Sequence, residues 1–112
     1  EAFAAEEALI IPPSSPGDAR HLYPLRLKDP EKRGALMEGL RLRGIGTSVH
    51  FIPLHIMPYY RERYGLKPED LPESLRRFTQ TLSLPIWPGM TESQVERVVA
   101  AVRGTLVKTA AP

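Results

Sequence analysis

The residues best placed to do chemistry stand in one stretch, Gly46-Thr47-Ser48-Val49-His50-Phe51-Ile52-Pro53-Leu54-His55. Two histidines flank a proline, with a serine and an aromatic ring beside them. Four roles are open to such a pair. Metal binding needs a third ligand and a convergent geometry. A separation of five residues instead puts the two rings on opposite faces of a strand. The next acid along the chain, Glu62, lies beyond a second proline. Nucleophilic or general-base work needs a serine or carboxylate partner, and the local sequence places none. The remaining roles are a satisfied structural histidine at a strand end and a donor to phosphate or sugar oxygens. For the second of these, Ser48 and Tyr60 stand close enough in sequence to help. On the residues alone, the structural role is the better account.

Other candidates are weaker. Tyr59-Tyr60-Arg61-Glu62-Arg63-Tyr64 could stack on a ligand, but reads more simply as a short helix with tyrosine bodies in the core and arginines at the rim. Trp87, between Ile86 and Pro88, reads as a packing residue in a tight loop. Gly44-Ile45-Gly46 is too short for a phosphate loop and precedes a strand, not a helix. The acid pairs Glu6-Glu7 and Glu69-Asp70 read as solvated.

These residues must be positioned by short elements separated by stiff joints, for the chain carries 12 prolines in 112 residues. Glu1 to Ala8 is a helix-compatible stub with no start signal, the end of a helix begun upstream. Leu9-Ile10-Ile11 can pair briefly before Pro12-Pro13. In His21-Leu22-Tyr23-Pro24-Leu25-Arg26-Leu27, residues Tyr23, Leu25 and Leu27 share one face at period two. Pro24 cannot donate to a ladder, so this strand is expected at an edge or bulged.

Asp29-Pro30 supplies an N-cap and first-turn proline for a helix carrying Leu36, Met37 and Leu40 and stopping at Gly44. Gly34 and Gly39 weaken that helix, and can serve close packing on a neighbour. Thr47 to Ile52 reads as the next strand, ended by Pro53. Met57 to Tyr64 reads as a short helix before Gly65. Pro72 opens another helix, with Leu75, Phe78 and Leu82 at helical spacing, and Leu82 to Ile86 is a short extended run. Thr91-Glu92-Ser93-Gln94 is a capping box, followed by an apolar stripe of Val95, Val98, Val99, Val102 and Leu106. The tail from Thr109 is expected to fray.

Three short strands and three main helices in so small a chain predict an α+β layer. Its sheet would be small and mostly antiparallel, with helices packed on one face. The length suits one domain. There is no cysteine, which excludes disulfides, thiolate metal sites and a cysteine nucleophile. No apolar run approaches the ~20 residues of a membrane span, and no basic signal-peptide start is visible, so the cytoplasm is the expected compartment. The net charge is +2, and the 15 basic residues are spread along the chain among acids, so nucleic acid is not an expected partner.

Taken together, His21-Leu22-Tyr23, Arg43-Gly44-Ile45-Gly46-Thr47, Val49 through His55, Pro58-Tyr59-Tyr60 and Leu82-Ser83-Leu84-Pro85-Ile86-Trp87-Pro88-Gly89-Met90-Thr91 form an ordered set of motifs. In this set the chain resembles the small C-terminal domain of the DegT/DnrJ/EryC1/StrS aminotransferases, enzymes of PLP fold type I, over residues 20–106. The resemblance implies a PLP-dependent enzyme that aminates a keto sugar on a nucleotide-sugar, with glutamate the expected amino donor. It implies that residues 1–19 are the end of an interdomain helix and a linker, that 20–108 are the small domain, and that 109–112 are tail.

The resemblance also implies partners: the large PLP domain of the same polypeptide, a second subunit in a homodimer, and the nucleotide-sugar. His50, Phe51 and His55 would face that substrate, often at its phosphates. Two departures stand out. Phe51 occupies a position where tyrosine is common, and Pro24 one where an aliphatic residue is usual. PLP chemistry requires a Schiff-base lysine and an acid at the pyridinium nitrogen. The lysines here, Lys28, Lys32, Lys67 and Lys108, stand in polar or loop settings, and the family's cofactor lysine belongs to the large domain. The expectation is that no catalytic, cofactor or metal residue lies in this chain, and that alone it does not transaminate. The alternative is a stand-alone, non-catalytic interaction or ligand-binding module of the same fold.

Overall fold

The structure is a computed structural model that describes residues 2–110, with side chains described as far as Leu106. Three antiparallel strands form one sheet in the order β1-β2-β3: β1 at Leu9–Ile10, β2 at Tyr23–Leu27 and β3 at Thr81–Leu84. Four α-helices accompany it: α1 at Lys32–Arg41, α2 at Pro58–Tyr64, α3 at Pro72–Gln80 and α4 at Glu92–Ala110. Single 3-10 turns sit at Leu54–Ile56 and Pro68–Asp70.

Period two explains the sheet. The register sets Tyr23 against Leu84, Leu25 against Leu82, and Leu27 against Leu9, so one face is apolar throughout. Against it pack Leu36 and Leu40 of α1 and Val98, Ala101, Val102 and Leu106 of α4, all buried, with Phe3 and Ile45 closing the ends. The α+β class and the layer of helices on an antiparallel sheet are therefore as the sequence predicts. Gly39 lets α1 and α4 approach closely: a Cβ there would stand 2.4 Å from Thr105 Cγ2. Gly34, by contrast, faces open space.

Several local expectations are corrected. The stub at residues 2–8 is a series of turns, not helix. Helix α1 begins at Lys32, and Asp29 instead accepts a bond from Glu31 N–H at 3.0 Å, capping the turn that leads into it. Helix α3 ends at Gln80, so Leu82 belongs to the sheet and not to a helical stripe. Helix α4 runs through the expected fray to Ala110, while Ala111 and Pro112 lie outside the described residues.

The strand carrying Pro24 is the central one, neither at an edge nor bulged in its pairing. Two features make the proline tolerable there. Strand β1 is only two residues long and pairs with Arg26 and Leu27, so no strand flanks Pro24 on that side. On the other side its partner Ser83 turns both backbone groups away, to Ser48. The Pro24–Ser83 pair is thus a non-hydrogen-bonded one, and no N–H is missed.

Candidate functional site

The stretch from Thr47 to Ile52 is not a strand. Only Ser48 reaches the sheet, exchanging two backbone bonds with Ser83: N–H to carbonyl at 3.2 Å one way and 2.7 Å the other. Beyond it the chain leaves the edge of β3. The physical reason lies in burial. Val49, Phe51, Ile52 and Leu54 have no covering surface among the described residues and stand exposed, so nothing holds a strand register. Pro53 then turns the chain into the 3-10 turn, closed by Ile56 N–H to the Pro53 carbonyl at 3.1 Å, and Pro58 starts α2.

This excursion borders an open cleft of about 610 Å³, lined by Leu22, Ser48 to Ile52, Leu54 and Met57. Its walls are almost wholly apolar. Ser48 and His50 carry the polar side chains, and no arginine, lysine, aspartate or glutamate lines it. The His50 ring is half-buried, and its Nε2 lies 2.8 Å from the Ser83 hydroxyl. Phe51 is 98% exposed, an aromatic face offered whole to the cleft and solvent.

The three residues singled out by sequence are therefore divided. His50 and Phe51 share the cleft, whereas His55 is 2% exposed in the 3-10 turn and does not line it. Its Nε2 is buried with no hydrogen-bond partner among the described residues. Ser83 is the site residue that sequence reasoning missed. The alternation Leu82-Ser83-Leu84 marks it as facing away from the core, but its contact with His50, 33 positions distant, has no local signature.

Helix α2 buries no side chain, so the expectation that its tyrosines are core is corrected. Tyr60 stacks on Tyr64 at 6.4 Å with planes 14° apart, and Arg63 lies over the Tyr64 ring. Trp87 is half exposed as well, so it is not the buried packing residue expected.

The cofactor chemistry implied by the fold does not fit the described residues. Lys28, Lys32 and Lys67 are exposed and none lines the cleft, which also lacks an acid for a pyridinium nitrogen. The Lys108 side chain lies outside the described residues. No helix among the described residues is long and apolar enough to cross a membrane.

Comparison with known proteins agrees with the fold. Residues 2–103 match the model of the DegT/DnrJ/EryC1/StrS aminotransferase family. The spore coat polysaccharide biosynthesis protein SpsC of Bacillus subtilis is 40% identical over 101 residues, which cover 84% of this chain and 26% of SpsC. Among solved structures, DesV of S. venezuelae, captured with a ketimine intermediate, is 34% identical with a TM-score of 0.79, covering 92% of this chain and 28% of DesV. The aminotransferase TlmJ of Streptoalloteichus hindustanus is 28% identical with a TM-score of 0.84, covering 97% of this chain and 29% of TlmJ. The chain thus spans under a third of the length of these relatives. It belongs to the DegT/DnrJ/EryC1/StrS aminotransferase family.

Proposed function

We propose that the chain works as the small C-terminal domain of a PLP-dependent aminotransferase that aminates a keto sugar carried on a nucleotide. In this reading the large domain of the same polypeptide holds PLP and its lysine, in a homodimer in the cytoplasm. The present residues bind and orient the sugar-nucleotide. The observation that carries the reading is the cleft of about 610 Å³, with His50 anchored at its wall by Ser83 and Phe51 open beside it. The resemblance of the chain to DesV and TlmJ supports it.

Each group has a definite task. The Phe51 ring gives a flat apolar face for the C–H face of a sugar or for a base. The imidazole of His50 supplies a hydrogen bond to a ligand oxygen from an otherwise apolar wall, where one placed polar group fixes orientation. With neither arginine nor lysine in its lining, the cleft suits the uncharged part of the substrate better than a diphosphate. His55 is enclosed within the turn that carries Leu54 and takes no part in the cleft lining.

The test is His50→Ala in the intact enzyme. Loss of one orienting bond raises the KM for the nucleotide-sugar by roughly tenfold, about 1.4 kcal/mol, and leaves the absorbance of bound PLP as it was. Unchanged KM and kcat would remove His50 from the site.

A further inference from the structure

We infer that Ser83 is a positioning residue that selects the tautomer of His50, so that the neutral imidazole presents Nδ1–H to the cleft as a donor. This inference rests on the reading of the cleft as a ligand site.

Ser83 is 4% exposed. Its backbone N–H and carbonyl are both bonded to Ser48. Pro24, across the ladder, forms a non-hydrogen-bonded pair with Ser83, so its carbonyl points away and offers the hydroxyl no acceptor. The hydroxyl itself pairs with His50 Nε2 at 2.8 Å. A hydroxyl carries one proton and two lone pairs, and a neutral imidazole has one donor and one acceptor nitrogen.

Two arrangements are then possible. With the proton on Nε2, the ring donates to Oγ, and the proton of the serine is left buried without an acceptor, an arrangement that folded proteins avoid. With the proton on Nδ1, Nε2 accepts from the serine, and every buried proton is used. The second arrangement satisfies the site. It also leaves Nδ1–H, which has no hydrogen-bond partner among the described residues, on a half-buried ring that lines the cleft.

The consequence is a fixed polarity. The cleft offers a donor and so takes a ligand by an acceptor oxygen. A serine in this place differs from a carboxylate in one further respect: it can donate to the neutral ring and accept from the charged one. The ring therefore stays in place in both forms.

Selective ¹⁵N labelling of histidine in the intact polypeptide reads the tautomer directly, at a pH where the imidazole is neutral. The signals of His50 are identified by their loss in His50→Ala. The expected spectrum has Nδ1 protonated and Nε2 as the bare acceptor. Ser83→Ala shifts His50 toward the Nε2–H form that free imidazole prefers, and raises the KM for the nucleotide-sugar about two- to tenfold with little change in kcat. Ser83→Thr, which retains the hydroxyl, preserves the original spectrum. A wild-type His50 protonated at Nε2 overturns the inference, whether or not the variants fold. So does a folded Ser83→Ala protein with an unaltered tautomer. An unaltered KM in His50→Ala defeats the ligand-site reading instead, and the tautomer result is then judged on its spectrum alone.

Discussion

The packing of α1 on α4 gives the most demanding test of the fold, because one helix contains its own control. Gly34 and Gly39 both lie in α1. Replacing either with alanine removes the flexibility of a helical glycine, a gain of up to about 1 kcal/mol. At Gly34 nothing stands within 4 Å of the new Cβ, so the gain is kept. At Gly39 the new Cβ meets Thr105 Cγ2 at 2.4 Å and Oγ1 at 3.2 Å. Thr105 is buried, and its hydroxyl donates to the Ala101 carbonyl at 2.8 Å, so its rotamer is held. The clash is relieved only by moving α4 or breaking that bond, which costs about 1–3 kcal/mol, the range for an overpacked core.

Since the glycine term is shared, the difference between the two variants isolates the clash. Gly39→Ala should be less stable than Gly34→Ala by about 2 kcal/mol. Thermal unfolding followed by circular dichroism would show this as a gap in Tm of about 8 °C, at roughly 4 °C per kcal/mol. Removing the clashing methyl supplies the second arm. Thr105→Ser costs about 1 kcal/mol alone, but in the Gly39→Ala background it should be neutral or stabilising. Equal Tm values for the two alanine variants, or additive effects in the double variant, would refute the contact between these helices.

Two further outcomes follow from the local chemistry. Thr91 caps α4 by accepting from Gln94 N–H at 3.3 Å while Gln94 Oε1 accepts from Thr91 N–H at 2.9 Å; Thr91→Ala should cost about 1 kcal/mol and Thr91→Ser almost nothing in urea unfolding, and equal losses would discount the cap. The carboxyls of Glu38 and Glu73 are held below their ordinary value of 4.5, chiefly by hydrogen bonds from Arg41 and Arg76 respectively. A lowered folded-state pKa contributes stability that is whole above pH 4.5 and is lost as pH falls through the depressed value; the double variant Glu38→Gln/Glu73→Gln should therefore flatten the acid limb of Tm against pH, an effect that shrinks in high salt, and an acid limb of unchanged slope would count against both pairs.

How much of this was legible in the sequence depends on whether the cause was local. The capping box at Thr91, the left-handed stops at Gly44 and Gly65, and the period-two face of Tyr23, Leu25 and Leu27 are written in neighbouring residues, and all appear in the structure. The strand expected at Thr47 to Ile52 fails because propensity registers apolar side chains but not whether a surface exists to cover them. Val49, Phe51 and Ile52 lie open. The same limit applies to Tyr59 to Tyr64, whose tyrosines α2 leaves unburied. Leu82 was ambiguous between periods, since it continues the helical spacing of Leu75 and Phe78 and also alternates with Ser83. The stretch singled out does line a cleft, but its internal geometry has no local signature. Nothing in the sequence distinguishes the half-buried ring of His50 from the enclosed one of His55, because a 3-10 turn after Pro53 makes that difference.

That geometry has a physical origin in the alternation of β3. Leu82 and Leu84 point to the helices, where Leu82 is fully buried and Leu84 nearly so. The residue between them must then point to the opposite face, where its hydroxyl meets His50. A slip of one residue in the β2–β3 register would turn Ser83 into the apolar core and expose two leucines, so the hydrophobic pattern fixes the orientation of the serine. The same register makes Ser83 and Pro24 a non-hydrogen-bonded pair, so the Ser83 backbone faces outward and holds Ser48, and the proline is tolerated opposite it. Core and cleft therefore meet at a single residue. The leucines on either side hold Ser83 in place, its backbone draws the loop to the sheet edge, and its side chain aims the histidine. The loop has little packing of its own, with Phe51 wholly open beside His50. Its polar geometry is inherited from the rigid strand beneath it, the arrangement that lets an exposed loop hold a side chain in a defined direction.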